Sequence, residues 1–294
     1  MGVKSLAVDL GISQIVYAGT DRGVFRHVYC NGEWPPTNLT DVTVFALAPA
    51  TPPTGHIFAG TYGNGVYRST DIGVSWQQVI TGLGELLVTA VAVSPNYATD
   101  QTVYAGLNTG GVYKSTDGGA SWHSANSGLT SLLINALAVN PADSQIVLAG
   151  THGKGIFRST NGGQSWSPEP VDNDFIRCFA VSEANPQIVY AGSNGGVFRS
   201  DDRGQTWTAT ALGYLTLSLI VHPSDSQTVF AGTWGSGVSM STNGGSSWRA
   251  INEGLENRVV QALAIDLNGC RLLYAGTDDG DPGTDDGVWE RRIQ

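Results

Sequence analysis

Ile57-Phe58-Ala59-Gly60-Thr61 opens a stretch that runs on through Gly65-Val66-Tyr67-Arg68 to Ser69-Thr70-Asp71-Ile72-Gly73-Val74-Ser75-Trp76. Its first element, an apolar pair followed by Ala-Gly, recurs seven times along the 294 residues, with the glycines at Gly19, Gly60, Gly106, Gly150, Gly192, Gly232 and Gly276. The intervals are 41, 46, 44, 42, 40 and 44 residues. Ahead of each copy stands a short apolar run such as Asn135-Ala136-Leu137-Ala138-Val139. Six of the seven copies lead on to a tryptophan: Trp34, Trp76, Trp122, Trp166, Trp207 and Trp248. Short apolar runs punctuated by glycine, with no helical period, read as β-strands joined by tight turns.

Each unit reads as four strands, A to D outward from a centre. Strand A is the leading apolar run, expected to be buried on both faces between neighbouring units. Strand B carries Ala-Gly, and strand C is the Gly-Val-Tyr-Arg segment. Strand D starts at the tryptophan as the outer edge, a position that tolerates Pro35 and Pro36 after Trp34. Four-stranded units at this period predict an all-β chain folded as a single seven-bladed β-propeller of antiparallel blades. The blades are expected at about 1–40, 41–83, 84–129, 130–170, 171–213, 214–255 and 256–294. The last ends on Gly287-Val288-Trp289-Glu290-Arg291-Arg292-Ile293 with no strand D after it. It is therefore expected to have three strands, unless the sequence is a piece of a longer chain. Its open edge is a pairing hazard, tempered by Glu290, Arg291 and Arg292.

Composition narrows the partners. Apolar residues at 41% suffice for a core, and charged residues at 14% are too few for a disordered chain. A net charge of −10 argues against nucleic acid. No run reaches the roughly 18 apolar residues of a membrane helix, so no membrane insertion is expected. Met1-Gly2 passes straight into a strand pattern, as a chain does when a leader is removed or absent, and this leaves the compartment open. Three cysteines are too few for a disulfide framework or a zinc site. Cys178 aligns with small residues of strand A and reads as core. Cys30 and Cys270 fall in turns of the adjacent blades 1 and 7 and would bridge only with Cα atoms within about 7 Å. No glycine-rich phosphate loop leads into a helix and no nucleophilic triad stands out, so no cofactor is expected.

The segment Ser/Thr-x-Asp-x-Gly-x-x-Trp between strands C and D stands at Ser69–Trp76 and Ser115–Trp122. Asn161, Asp202 and Asn243 take the acidic place in blades 4, 5 and 6, and Tyr29 takes it in a degenerate copy before Trp34. This resembles the Asp-box, or bacterial neuraminidase, repeat, and the likeness covers nearly the whole chain. Carriers of the repeat include sialidases, sortilin-type receptors, xyloglucanase-type glycoside hydrolases and photosystem II assembly factors. The resemblance implies that the box is architectural and lies opposite the functional face. An Asp or Asn at such a turn accepts hydrogen bonds from its own backbone, and the glycine two residues on supplies positive φ. The recurrent cations Arg26, Arg68, Lys114, Arg158 and Arg199 repeat with the fold and read as strand-face packing rather than an anion site. The sialidase Arg-Ile-Pro motif is absent. Thr20-Asp21-Arg22-Gly23 echoes the catalytic-acid loop of the xyloglucanase-type enzymes, but those set their two acids on two propellers, and here there is one.

Functional candidates are the positions that vary within the repeated frame. Just after strand B these are Asp21, Tyr62, Asn108, His152, Asn194, Trp234 and Asp278. Tyr62, His152 and Trp234 would offer a sugar or a peptide side chain a stacking surface, since aromatic loop residues on a rigid scaffold favour binding. Asp21 and Asp278, on blades adjacent across the ring closure, are the pair a hydrolase would need, because two carboxylates must flank the scissile bond. At the start of strand A, Lys4 and Arg177 would either hold an anion or solvate the channel. The loop 278–287 carries five carboxylates, a composition that suits calcium or a plain solvated surface. The expected function is a non-catalytic recognition or assembly propeller binding a glycan or protein on the face of the B–C and D–A loops. The alternative is a glycoside hydrolase using loop carboxylates near blades 7 and 1.

Overall fold

The computed structural model describes residues 1–9, 15–28, 32–50, 54–171, 175–267, 271–278 and 287–293. Among these, the chain forms seven antiparallel sheets, six of four strands and a last one of three, each in sequence order. Blade 1 comprises Val3–Asp9, Ile15–Thr20, Gly23–Val28 and Pro36–Thr40, and blade 7 comprises Val260–Asp266, Leu272–Thr277 and Val288–Arg292. The outer strand D is short: Gln77–Gln78, His123–Ser124, Thr208–Ala209 and Arg249–Ala250 begin directly after their tryptophans. One helical turn, Tyr97–Asp100, lies between strands A and B of blade 3 and accounts for the longest repeat interval.

Burial differs from the sequence expectation in one respect. The fully buried strand is B, as in Ile15–Thr20 and Val103–Leu107, where every residue is buried. Strand A alternates between buried and half-buried, as in Val3–Asp9. The reason is position: strand B lies between A and C and is flanked by two blades, whereas strand A has the central channel along one side.

The repeated Ala-Gly marks the tightest inter-blade contact. A methyl group on Gly106 would lie 2.6 Å from Ile134 Cγ2, at the start of strand A of the next blade. Gly60 meets Val88 in the same way, Gly150 meets Ile176, Gly192 meets Thr216, and Gly232 meets Val260. Gly276 of blade 7 meets Val3 of blade 1, so the ring closes with the same contact as every other junction. The glycine is therefore required by close approach, not by backbone angle.

A second junction is polar. In each of five successive blades the cation of strand C donates to the carbonyl one residue past the Asp or Asn of the next blade's box. Arg26 reaches Ile72 O (3.2 Å), Arg68 reaches Gly118 O (2.8 Å), Lys114 reaches Gly162 O (2.8 Å), Arg158 reaches Arg203 O (3.0 Å) and Arg199 reaches Gly244 O (3.1 Å). Met240 and Glu290 take this place in blades 6 and 7, which precede blades without a good box. The box itself is held as its composition predicts. Asp71 accepts from Ser69 Oγ and Ser75 N, both at 2.8 Å, and from Ser75 Oγ. Positive φ extends to the residue before the expected glycine: Ile72 at 60° and Arg203 at 62° join Gly118, Gly162 and Gly244. Cys30, Cys270 and Tyr29 lie outside the described residues.

Candidate functional site

The seven variable positions after strand B share one backbone interaction. Their N–H groups donate to the residue just ahead of strand A: Asp21 to Gly2, Tyr62 to Thr43, Asn108 to Leu87, His152 to Leu133, Asn194 to Phe175, Trp234 to Leu215 and Asp278 to Val259. This bond ties each B–C loop to a D–A loop and sets all seven side chains on one face. The boxes sit on the other: Ile72, Gly118, Gly162, Arg203 and Gly244 donate to Gly55, Gln101, Gln145, Gln187 and Gln227 of the A–B turns.

On the variable face Tyr62 is 59% exposed and Trp234 53% exposed, and His152 is exposed. They stand on blades 2, 4 and 6, so they are spaced around the rim and do not form one contiguous stack. Each has a local companion. Tyr62 packs edge-on to Phe45 at 5.8 Å between ring centroids, and His152 edge-on to Phe175 at 4.4 Å. Beside Trp234 the D–A loop carries Tyr214, 56% exposed, next to the Leu215 that accepts the Trp234 N–H. Tyr214, Leu86, Leu132 and Leu133 escape the sequence reading because D–A loops differ in length and do not align between blades. Among the described residues, seven of the eight exposed large apolar side chains lie on this face: Met1, Tyr62, Leu86, Leu132, Leu133, Tyr214 and Trp234. Only Val74, in a box, does not.

The two candidate acids differ in setting. Asp21 is exposed. Asp278 is 4% exposed and pairs with Lys4 of blade 1, while its backbone carbonyl accepts from Gln261 Nε2 at 3.0 Å. Asp278 thus belongs to the ring closure. The rest of the acidic loop, 279–286, lies outside the described residues. Among those described, no group of three or more His, Cys, Asp or Glu is placed to hold a metal ion.

At the centre of this face a cavity of about 500 Å³ descends into the channel. Its mouth is ringed by Lys4, Phe45, Thr89, Asn135, Arg177, Leu217 and Gln261, one from each blade as their equivalent places in strand A predict. The polar members are anchored: Arg177 Nε donates to Asn194 Oδ1 at 2.8 Å and Asn135 Nδ2 to Ile176 O at 3.1 Å. Below lies a tier of small residues that includes Cys178, then an apolar tier of Leu6, Leu47, Val91, Leu137, Phe179, Leu219 and Leu263. Burial pushes the Cys178 thiol up to about 12 and so disfavours its thiolate.

A family model described as BNR/Asp-box repeat matches residues 198–209. No curated protein matches the sequence. Solved structures of similar fold include a GH74 xyloglucanase from Xanthomonas campestris, at 17% identity and TM-score 0.80, covering 99% of this chain and 52% of that one. YCF48 bound to D1 peptide is similar at 13% identity and TM-score 0.71, covering 100% and 93%. The extracellular domain of the one component system BT4673 from B. thetaiotaomicron is similar at 17% identity and TM-score 0.73, covering 99% and 38%. The chain spans about half the length of the xyloglucanase. At these identities the likeness carries the fold alone. The chain carries a match to the BNR/Asp-box repeat at residues 198–209 and is built as a seven-bladed β-propeller.

Proposed function

We propose that this propeller is a non-catalytic recognition or assembly module that binds a protein segment on the face of its B–C and D–A loops. The observation that carries the reading is the concentration of exposed apolar side chains on that face. Soluble proteins seldom gather exposed apolar residues on one side unless a partner covers them. The set mixes aliphatic Leu86, Leu132 and Leu133 with aromatic Tyr62, Tyr214 and Trp234. Sugars stack on aromatic faces, whereas aliphatic side chains suit peptide side chains better. YCF48, a structure bound to D1 peptide, matches this chain over nearly the full length of both, which fits a peptide-binding role without identifying the peptide.

The hydrolase alternative draws on the xyloglucanase likeness and on Thr20-Asp21-Arg22-Gly23. It needs a second acid facing Asp21, and Asp278 is committed to Lys4. Peptide and glycan arrays probed with the protein and with a Tyr214→Ser/Trp234→Ala variant test the reading. The expected result is a peptide class bound by the parent and weakened at least about tenfold in the variant, at an unchanged melting temperature. A profile confined to glycans would move the assignment to sugar recognition. Turnover of aryl glycosides that disappears in Asp21→Asn would replace it with hydrolysis.

A further inference from the structure

Every strand A breaks its register with strand B at one place. The pairing skips a single residue in each blade, from Lys4 in blade 1 to Gln261 in blade 7. These seven skipped residues are the ring at the mouth of the channel. A β-bulge leaves its extra residue outside the ladder and re-aims the side chain, so the repeat builds a ring whose members are released from the demands of the sheet. Six of the seven are accounted for. Phe45 and Leu217 are apolar. Thr89 Oγ1 donates to Gly106 O at 3.0 Å, Asn135 Nδ2 to Ile176 O at 3.1 Å and Gln261 Nε2 to Asp278 O at 3.0 Å. Lys4 is paired with the carboxylate of Asp278.

Arg177 is the seventh. Its Nε donates to Asn194 Oδ1 at 2.8 Å, and the Asn194 N–H in turn donates to Phe175 O, so the guanidinium is held in orientation by a neutral partner. Among the described residues no carboxylate pairs with it, and Nη1 and Nη2 make no hydrogen bond. In a chain of net charge −10 this is a cation without its counter-charge, set at the centre of the loop face. Its surroundings are apolar on both sides. Toward blade 4, Phe175 stands two residues ahead of Arg177 and packs edge-on to His152. Toward blade 6 lie Leu217 of the ring and the exposed Tyr214 and Trp234.

We propose that the partner segment carries an acidic side chain flanked by apolar ones, and that its carboxylate pairs with Nη1 and Nη2 of Arg177 at the channel mouth. The inference rests on the loop-face reading above and names the chemistry of its ligand. The two terminal nitrogens of a guanidinium match the two oxygens of a carboxylate, a geometry an ammonium does not offer. The apolar neighbours divide the work: Tyr214 and Trp234 supply contact area and hence affinity, whereas Arg177 selects the charge and fixes the register of the segment. The probes are three pooled octapeptide libraries, randomised among Leu, Phe, Tyr and Gly except at one central position, which is fixed as Glu, Gln or Lys. Retention of each library by the immobilised protein is the readout.

The parent is expected to retain the Glu library at least about tenfold better than the Gln library, and the Lys library least. The Glu-over-Gln ratio is expected to shrink as salt is raised. In Arg177→Gln, which can still donate to Asn194 and is expected to melt with the parent, the ratio is expected to fall to about one while the Gln library is retained as before. Arg177→Glu is expected to invert the order in favour of the Lys library, a rescue that a purely structural role for Arg177 would not give. Equal retention of the Glu and Gln libraries by the parent overturns the acidic requirement and leaves the loop-face reading standing. Retention of none of the three overturns both. A Glu preference that survives in Arg177→Gln removes Arg177 from the site, whatever the reversal variant does.

Discussion

A methyl group on Gly106 would press on Ile134, and that single contact explains why Ala-Gly persists while its neighbours vary. Gly106→Ala is expected to cost about 1–3 kcal/mol through overpacking, read as a lower urea midpoint. Gly213 has no atom within 4 Å of the same methyl, and its backbone is not left-handed. Gly213→Ala is expected to be neutral or to stabilise by about 0.4–1 kcal/mol. At this scale the sequence reading is strong wherever a residue repeats, because a seven-fold repeat isolates what the junction requires. The purpose of the cations was not legible, because a carbonyl acceptor on the next blade leaves no mark in side-chain identity. Tyr214 was missed for the opposite reason, having no repeat partner to be compared with.

The box is an element whose charge has a measurable consequence. Desolvation alone would raise the carboxyl of Asp117, but hydrogen bonds from the Ser121 hydroxyl and amide and from Ser115 overcome it and hold the group at about 2. Asp71 and Asp202 are lowered by the same arrangement of bonds. A carboxylate held below its unfolded value of 3.8 contributes stability that is complete above that value and lost as pH falls toward about 2. The melting temperature is therefore expected to be level above about pH 5 and to fall between about pH 4 and pH 2. The boxes of blades 4 and 6 contain the control. There Asn161 Nδ2 and Asn243 Nδ2 donate to Ser165 Oγ and Ser247 Oγ at 2.8 and 2.9 Å, reversing the sense of the bond while leaving the turn intact. An Asp71→Asn/Asp117→Asn/Asp202→Asn variant is expected to show a shallower acid limb, followed by circular dichroism across the same range. The three carboxylates lie near the surface, so the difference is expected to be small.

For the molecule as a whole, the seam between blades 7 and 1 bears on closure, since among the described residues no sheet combines strands from the first and the last blade. Strand A of blade 1 packs against that of blade 7, and Lys4 pairs with the buried Asp278 across the junction. The Tyr274 hydroxyl and His27 Nε2, both buried near this seam, find no hydrogen-bond partner among the described residues. Removing either member of the ion pair strands the other. Lys4→Met and Asp278→Asn are each expected to cost about 2 kcal/mol, and the double variant less than the sum, as thermal melts of all three will register. The closed ring and the three-stranded last blade were legible in the repeat count. The role of Asp278 was not, because its partner lies at the far end of the sequence.

The cation-to-box bonds run in one direction, each blade holding the next, and among the described residues the series extends from blade 1 to blade 6. Blade 7 is skipped on both sides, with Met240 behind it and Glu290 ahead. Blade 7 packs against blades 6 and 1 as closely as the other blades pack together, but without these polar bonds it is expected to be the blade whose local opening costs least. Amides of Leu272–Thr277 are expected to exchange through a low-energy opening that leaves the Val103–Leu107 amides protected, as native-state exchange at increasing denaturant will resolve. Such an opening would loosen the wall of the channel at one place and leave the rest of its circumference intact.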